Sequence, residues 1–281
     1  DGTNDSARFF NPCSITVDAN GKLYVADSTN HTIRQVTQSG TNWIVTTIAG
    51  LAGTSGRVDG TNSNARFNTP QGIAVSRSGN IYVSDSLNDT IRELALTGTN
   101  WVVTTIAGLA GSSGGTDGTN SSARFTQPFG IAIDATENLF VADSASDTLR
   151  KLTRVGTNWI VSTIGGVAQI YGSADGTGSD ARFFLPSGMA VDPAGGLFIM
   201  DGNNSTVRLG WTQPLLQMSV SGDSAILTWP ASTVGYLPQI TASLTPAFWT
   251  PVGGQVGISS GSFRLTNRVT PDAGFFRLQR Q

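Results

Sequence analysis

The tripeptide Asp-Gly-Thr recurs at residues 1–3, 59–61, 117–119 and 175–177, always 58 residues apart. The sequence around it recurs as well. Residues 59–108 read DGTNSNARFNTPQGIAVSRSGNIYVSDSLNDTIRELALTGTNWVVTTIAG, and 1–50 and 117–166 are close variants. A fixed period of this length specifies an array of one supersecondary unit. Such a unit cannot bury its apolar surface alone and must stack on its neighbours. Function in such an array is read by comparing equivalent positions across repeats.

Within a repeat the pattern reads as four antiparallel strands. The runs 23–27, 81–85, 139–143 and 197–201 are apolar without polar alternation, as in a strand covered on both faces. A strand precedes each, at 14–18, 72–76, 130–134 and 188–192. The turn between them carries Gly21, Gly79 and Gly195, where a positive φ costs little. Repeat three has Glu137 there, which predicts a different turn. A third strand, 31–36 and its equivalents, turns at Gly40, Gly98 and Gly156 into a fourth, opened by Trp43, Trp101 and Trp159. Inner strands covered on both faces predict blades stacked around an axis rather than a flat sandwich. The linker DGTN-x-x-ARF predicts one helical turn, with Phe9, Phe67, Phe125 and Phe183 plugging the gaps between blades.

The run ARFNTPQGIAVSRSGNIYVSDSLNDTIREL resembles an NHL repeat, P-x-G-I-A-V-D-x-x-G-N-I-Y-V-A-D-x-x-N-x-R-I. The resemblance covers residues 1 to about 210 and implies a β-propeller. Propellers of that family have five or six blades, whereas this chain shows three complete repeats and part of a fourth. Repeat four keeps 200–209, and then GWTQPLL replaces the expected outer strand. The expected fold is therefore all-β: an NHL-type propeller of about four blade units over 1–212, followed by a small β-sandwich over 213–281. About seven short strands after residue 214 suggest an immunoglobulin-like or fibronectin-type module. Phe248, Trp249, Phe275 and Phe276 are its expected core, with Trp229 joining them.

Composition removes several functions. Net charge is −2 with pI near 5.3, which leaves no basic footprint for nucleic acid. RNA binding, which the resemblance would allow, conflicts with this. No apolar stretch reaches the ~18 residues of a transmembrane helix. Cys13 is the single cysteine, so no intrachain disulfide forms, and a buried, inert thiol is expected. It aligns with Gln71, Phe129 and Ser187. Residue 1 falls inside a repeat linker, which suggests processing or truncation upstream and, with the fold, a secreted, extracellular protein.

Two sets of candidate site residues follow. Asp27, Asp85, Asp143 and Asp201 occupy one repeat position. On a propeller they would ring one end of the axis, where converging carboxylates could hold calcium. The plainer reading has each Asp capping the turn it begins, with no metal or other cofactor. Periodic Arg34, Arg92, Arg150 and Arg208 then make structural ion pairs. A recognition surface should instead differ between blades. His31, Asp89, Asp147 and Ser205 at one rim, with Leu87 and Asn203 beside them, are the binding candidates. Asn4, Asn30, Asn88, Asn120, Asn203 and Asn204 also begin Asn-x-Ser/Thr sequons.

Three functions are weighed. The resemblance implies a non-enzymatic scaffold that binds a protein or glycan. Incomplete blades favour a self-assembling subunit, a homo-oligomer or filament joined through open edges. Some NHL-type propellers are lyases with a metal held by several His, but His31 is the single histidine here, so no enzyme is expected.

Overall fold

A computed structural model describes the chain except residues 194, 212–215, 222–223, 231–235, 243–246, 248, 260–261, 269–274 and 281. Two compact units form, Asp1–Val191 with Leu197–Gly210, and Asp192–Gly196 with Trp211–Gln281.

In the first unit each complete repeat is one sheet. Repeat one contributes β1 (Gly2–Thr3), β2 (Pro12–Val17), β3 (Leu23–Asp27), β4 (Thr32–Ser39) and β5 (Asn42–Gly50), in spatial order β1-β5-β4-β3-β2. Repeat two has β6 (Gly60–Thr61), β7 (Pro70–Val75), β8 (Ile81–Asp85), β9 (Thr90–Thr97) and β10 (Asn100–Gly108). Repeat three has β11 (Gly118–Thr119), β12 (Pro128–Ile133), β13 (Leu139–Asp143), β14 (Thr148–Val155) and β15 (Asn158–Gly165). Both repeat the same order. Repeat four keeps β16 (Pro186–Val191), β17 (Gly196–Asp201) and β18 (Thr206–Trp211).

The chain thus enters each blade at the outer edge, crosses to the innermost strand, and meanders outward. Residues 1–8 were expected to be linker alone, yet Gly2–Thr3 pairs with Ile44 and Val45. Asn4 adds its own bonds. Its Oδ1 accepts the Trp43 backbone N–H at 2.7 Å, and its Nδ2 donates to Asn42. Every complete blade therefore covers part of its own outer edge, which otherwise offers unpaired N–H and C=O groups. Blade one is complete. Among the described residues, blade four has the three strands β16, β17 and β18.

The expected helical turn is a short 3-10 helix at Asn4–Ser6, Asn62–Asn64 and Asn120–Ser122. Arg66 folds back onto it and donates to the Ser63 and Ala65 carbonyls. Glu137 corrects one expectation. Its φ of 63° is left-handed like Gly21 (77°), Gly79 (91°) and Gly195 (84°), so the turn keeps its shape despite the side chain. Gly50 and Gly108 are required differently. Each has positive φ, and a Cβ would meet the carbonyl oxygen of His31 or Asp89 at 2.4 Å.

Packing is between blades. Tyr24, Ala26, Ile33, Ile48 and Ala49 of blade one meet Phe67, Ile73, Ile81, Val83, Leu94, Trp101 and Val103 of blade two. The same face pair recurs between blades two and three, and between three and four. Phe67 and Phe125 are fully buried plugs. The equivalent Phe9 of blade one is 38% exposed. The tryptophans split likewise. Trp101 and Trp159 are buried edge-on against Tyr24 and Tyr82 at 6.0 and 5.7 Å, whereas Trp43 is 40% exposed.

The described residues of the second unit form two sheets. One is ordered β19 (Gln217–Ser221), β20 (Ser224–Pro230), β24 (Ser262–Arg268), β23 (Val256–Ser259); the other is β22 (Thr250–Pro251), β21 (Tyr236–Thr241), β25 (Phe275–Arg280). Buried Leu227, Trp229, Val252 and Leu265 form one cluster, with Ile240, Phe263, Phe276 and Leu278 against it. Trp229 is thus central. Phe275 is exposed, contrary to expectation, because alternation along β25 sends Phe276 and Leu278 inward. Trp249 is half-buried under the Arg277 guanidinium at 4.4 Å. Phe248 lies outside the described residues.

Candidate axial binding site

The sequence motifs meet first in an Asp-Arg-Asp cluster inside each blade. Asp85 is fully buried at the end of β8. Its carboxylate takes the Arg92 guanidinium at 2.6 Å, the Asn88 amide at 2.8 Å and the Asn68 backbone N–H at 2.7 Å. Arg92 also reaches Asp59 at 2.7 Å and the Arg66 and Val58 carbonyls, with its guanidinium 5.1 Å over the Phe67 ring. Asp27, Asp143 and Asp201 repeat the pattern with Arg34, Arg150 and Arg208. The outer partners there are Asp1, Asp117 and Asp175.

This geometry corrects the turn-capping reading. Asp27, Asp85, Asp143 and Asp201 make no side-chain cap to the 3-10 turn that each begins. Oδ1 reaches instead to a backbone N–H seventeen residues upstream, so the cluster ties the linker to the blade. The four carboxylates are fully buried, each in its own blade. Among the described residues, no three His, Cys, Asp or Glu side chains gather as a metal site. Burial pushes Asp85 up to about 6 and Asp143 up to about 7, against the pull of the paired guanidinium.

The rim candidates are also spent on structure. His31, Asp89, Asp147 and Ser205 share a left-handed backbone, φ 54–58°. His31 Nδ1 accepts the Thr69 N–H at 3.1 Å. Asp89 accepts from Gln127 at 2.8 Å, and Asp147 from Leu185 at 2.9 Å. Each is therefore a clasp to the following blade rather than a free contact. Burial alone holds the His31 pKa below its ordinary value. Leu87, Asn203 and Ser205 remain exposed. Of the sequon residues, Asn88 is buried with its amide on Asp85 and the Gly56 carbonyl.

The structure brings together a set that the rim reasoning missed. The second residues of the innermost strands, Cys13, Gln71, Phe129 and Ser187, line one cavity of about 380 Å³ with Ile131, Met189 and Met200. Cys13 is exposed here, not buried as expected. The signal was present: these four positions differ in every blade, while their neighbours Ile15, Ile73, Ile131 and Met189 stay apolar. The lining carries no formal charge. A larger cavity of about 510 Å³ lies where outer residues of blades two and three meet, lined by Glu93, Arg154, Asn120 and Trp159 among others. Two of its polar side chains, Glu93 and Asn120, are already engaged. Glu93 takes Asn80 and Tyr82, and Asn120 takes the Trp159 N–H. The axial cavity keeps the variable residues and is the better candidate for a recognition site.

Sheets of this order, packed face to face with their first strands toward a shared centre, define a β-propeller body. Comparison with known proteins agrees. The NHL repeat family matches residues 11–36 and 67–92. NHL repeat-containing protein 2 of Gallus gallus is 30% identical over 224 residues, covering 70% of this chain and 29% of that protein. The Homo sapiens protein of the same name is 29% identical over 221 residues, again 70% and 29%. The chain thus spans less than a third of the length of these relatives. A Bacteroides thetaiotaomicron protein of unknown function superposes with TM-score 0.57 at 24% identity, covering 70% of this chain and 46% of that one. An auxiliary nutrient binding protein from Bacteroides ovatus superposes with TM-score 0.56 at 21% identity, covering 72% and 48%. The chain belongs to the NHL-repeat proteins, and its first unit is an NHL-type propeller.

Proposed function

We propose that this propeller is a non-enzymatic, secreted binding scaffold for a protein or glycan, and that it engages its ligand at the axial cavity. The observation that carries the reading is the contrast between blades. Asp, Arg, Phe and Trp repeat and are consumed by the fold, while Cys13, Gln71, Phe129 and Ser187 differ and converge on one opening. An asymmetric ligand needs such asymmetry, since each blade touches a different part of it. The cavity volume suits a sugar ring or one amino-acid side chain. A lining of thiol, amide, hydroxyl, thioether and phenyl groups selects an uncharged group. Gln71 would supply the amide hydrogen bonds and Phe129 an apolar face. His31 is committed to the Thr69 N–H, which leaves no histidine for the metal site of a propeller lyase.

The test is a glycan and peptide array with the 281-residue chain, followed by calorimetry on the hits. Phe129→Ala and Gln71→Ala should each weaken binding at least tenfold, while Leu87→Ala should leave it unchanged. Retained affinity in both pocket variants would remove the axial site. Loss in Leu87→Ala would return recognition to the rim.

A further inference from the structure

Blades two and three meet at the same repeat positions as blades one and two. The cavity of about 510 Å³ at the outer part of the second junction draws its lining from both blades. Every lining residue but two has the identical residue type 58 positions earlier, at the first junction. Thr104, Leu109, Asn120, Ser121, Thr157 and Trp159 correspond to Thr46, Leu51, Asn62, Ser63, Thr99 and Trp101. The two departures are Glu93, where blade one has Gln35, and Arg154, where blade two has Leu96. They come from different blades. Together they place one charge of each sign in a lining that is otherwise uncharged.

A matched acid and base would be explained by a structural ion pair, but Glu93 and Arg154 do not form one. Among the described residues, the salt bridges all belong to the buried Asp-Arg-Asp clusters. Each of the two groups is instead positioned and left with spare capacity. Glu93 Oε1 accepts the Asn80 amide at 3.0 Å and the Tyr82 hydroxyl at 3.1 Å, which orients the carboxylate. Oε2 takes no bond among the described residues. Arg154 gives only Nε to the Gly156 carbonyl, at 3.4 Å. Its guanidinium lies 5.9 Å from the centre of the Trp159 ring, at the cavity, with Nη1 and Nη2 uncommitted among the described residues. Asn120 is different, because Oδ1 holds the Trp159 N–H and Nδ2 holds Asn158. It is wall, and the two charges are the reading groups.

We infer that this cavity binds a short zwitterionic peptide, its ammonium on Glu93 Oε2 and its carboxylate on Nη1 and Nη2 of Arg154. A guanidinium takes a carboxylate in two parallel bonds, and an ammonium carries three donors for a carboxylate oxygen. One molecule with both ends answers both walls, whereas an uncharged sugar would leave both charges without a counterpart. The volume holds about two or three residues. The inference is independent of the axial ligand reading, since the axial lining carries no formal charge.

The experiment is calorimetry of the 281-residue chain with dialanine and trialanine. Saturable one-to-one binding is expected. N-acetyl-dialanine lacks the ammonium and alanyl-alaninamide lacks the carboxylate, so each should bind at least tenfold more weakly than dialanine. Glu93→Gln and Arg154→Leu install the residue types that the first junction carries, and each should weaken dialanine at least tenfold. Glu93→Gln should also cease to distinguish dialanine from its N-acetyl form, while Arg154→Leu should cease to distinguish it from the amide. That crossed pattern is one that misfolding does not produce. Acetyl-Lys-Ala-Glu amide offers the same two charges from side chains and should bind more weakly than trialanine; if it alone binds, the free-peptide assignment is overturned. Absence of saturable binding up to about 10 mM dialanine and trialanine overturns the inference as well. So does affinity unchanged in both variants, or discrimination that neither variant removes.

Discussion

The three blade-opening tryptophans form an internal control for how much neighbouring blades contribute to stability. Trp43, Trp101 and Trp159 begin the same strand in the same repeat, and differ in what lies against them. Trp101 and Trp159 are 7% and 3% exposed and each meets a tyrosine ring edge-on; Trp43 is 40% exposed. Truncating a buried Trp to Ala costs about 3–5 kcal/mol. About a third of the Trp43 side chain, roughly 80 Å², is open where the other two are covered, and at about 25 cal/mol per Å² that removes about 2 kcal/mol of the penalty. The missing aromatic pair removes roughly 1 kcal/mol more. Trp101→Ala and Trp159→Ala should therefore each cost about 2–3 kcal/mol more than Trp43→Ala. Urea titrations followed by far-ultraviolet circular dichroism measure the three values. Equal costs would refute the claim that inter-blade burial, rather than the blade's own sheet, sets the contribution.

Three further outcomes are expected. Asp85 and Asp143 bind a proton more tightly in the folded chain, at about 6 and about 7, than in the unfolded chain near 3.8. Their contribution is full below pH 4 and is lost as pH rises through 6 to 7; Asp85→Asn and Asp143→Asn should flatten the unfolding free energy over about pH 4–7, and unchanged slopes would count against it. Glu137→Gly should raise stability by about 1 kcal/mol, read as a shifted denaturation midpoint, because it relieves a left-handed φ of 63°. Millimolar calcium should leave the melting temperature unchanged, because each buried Asp is already bound by Arg and an N–H donor; a rise that Asp85→Ala abolishes would reverse this.

Much of the propeller was legible because repetition converts local pattern into architecture. A 58-residue period, with covered strands and Gly turns at fixed offsets, leaves few ways to bury its apolar residues other than blade on blade. The sequence by itself determined the four-strand meander, the plugging Phe residues, and the pairing of periodic Asp with periodic Arg; the short outermost strand at Gly2–Thr3 and its equivalents came only from the structure. It could not tell a clasp from a contact. His31, Asp89 and Asp147 vary as recognition residues do, but their partners, Thr69, Gln127 and Leu185, are backbone N–H groups 38 residues away. Any side chain with an acceptor can serve a backbone donor, so variation there is tolerance. Tertiary structure alone decided that Cys13, Gln71, Phe129 and Ser187 meet at one opening. They are 58 residues apart, and only the stacking of sheets around a shared centre brings them together. It also decided the fate of identical residues. Trp43 and Trp101 occupy the same position in the repeat, and one is open while the other is buried, because burial belongs to the neighbour and not to the residue.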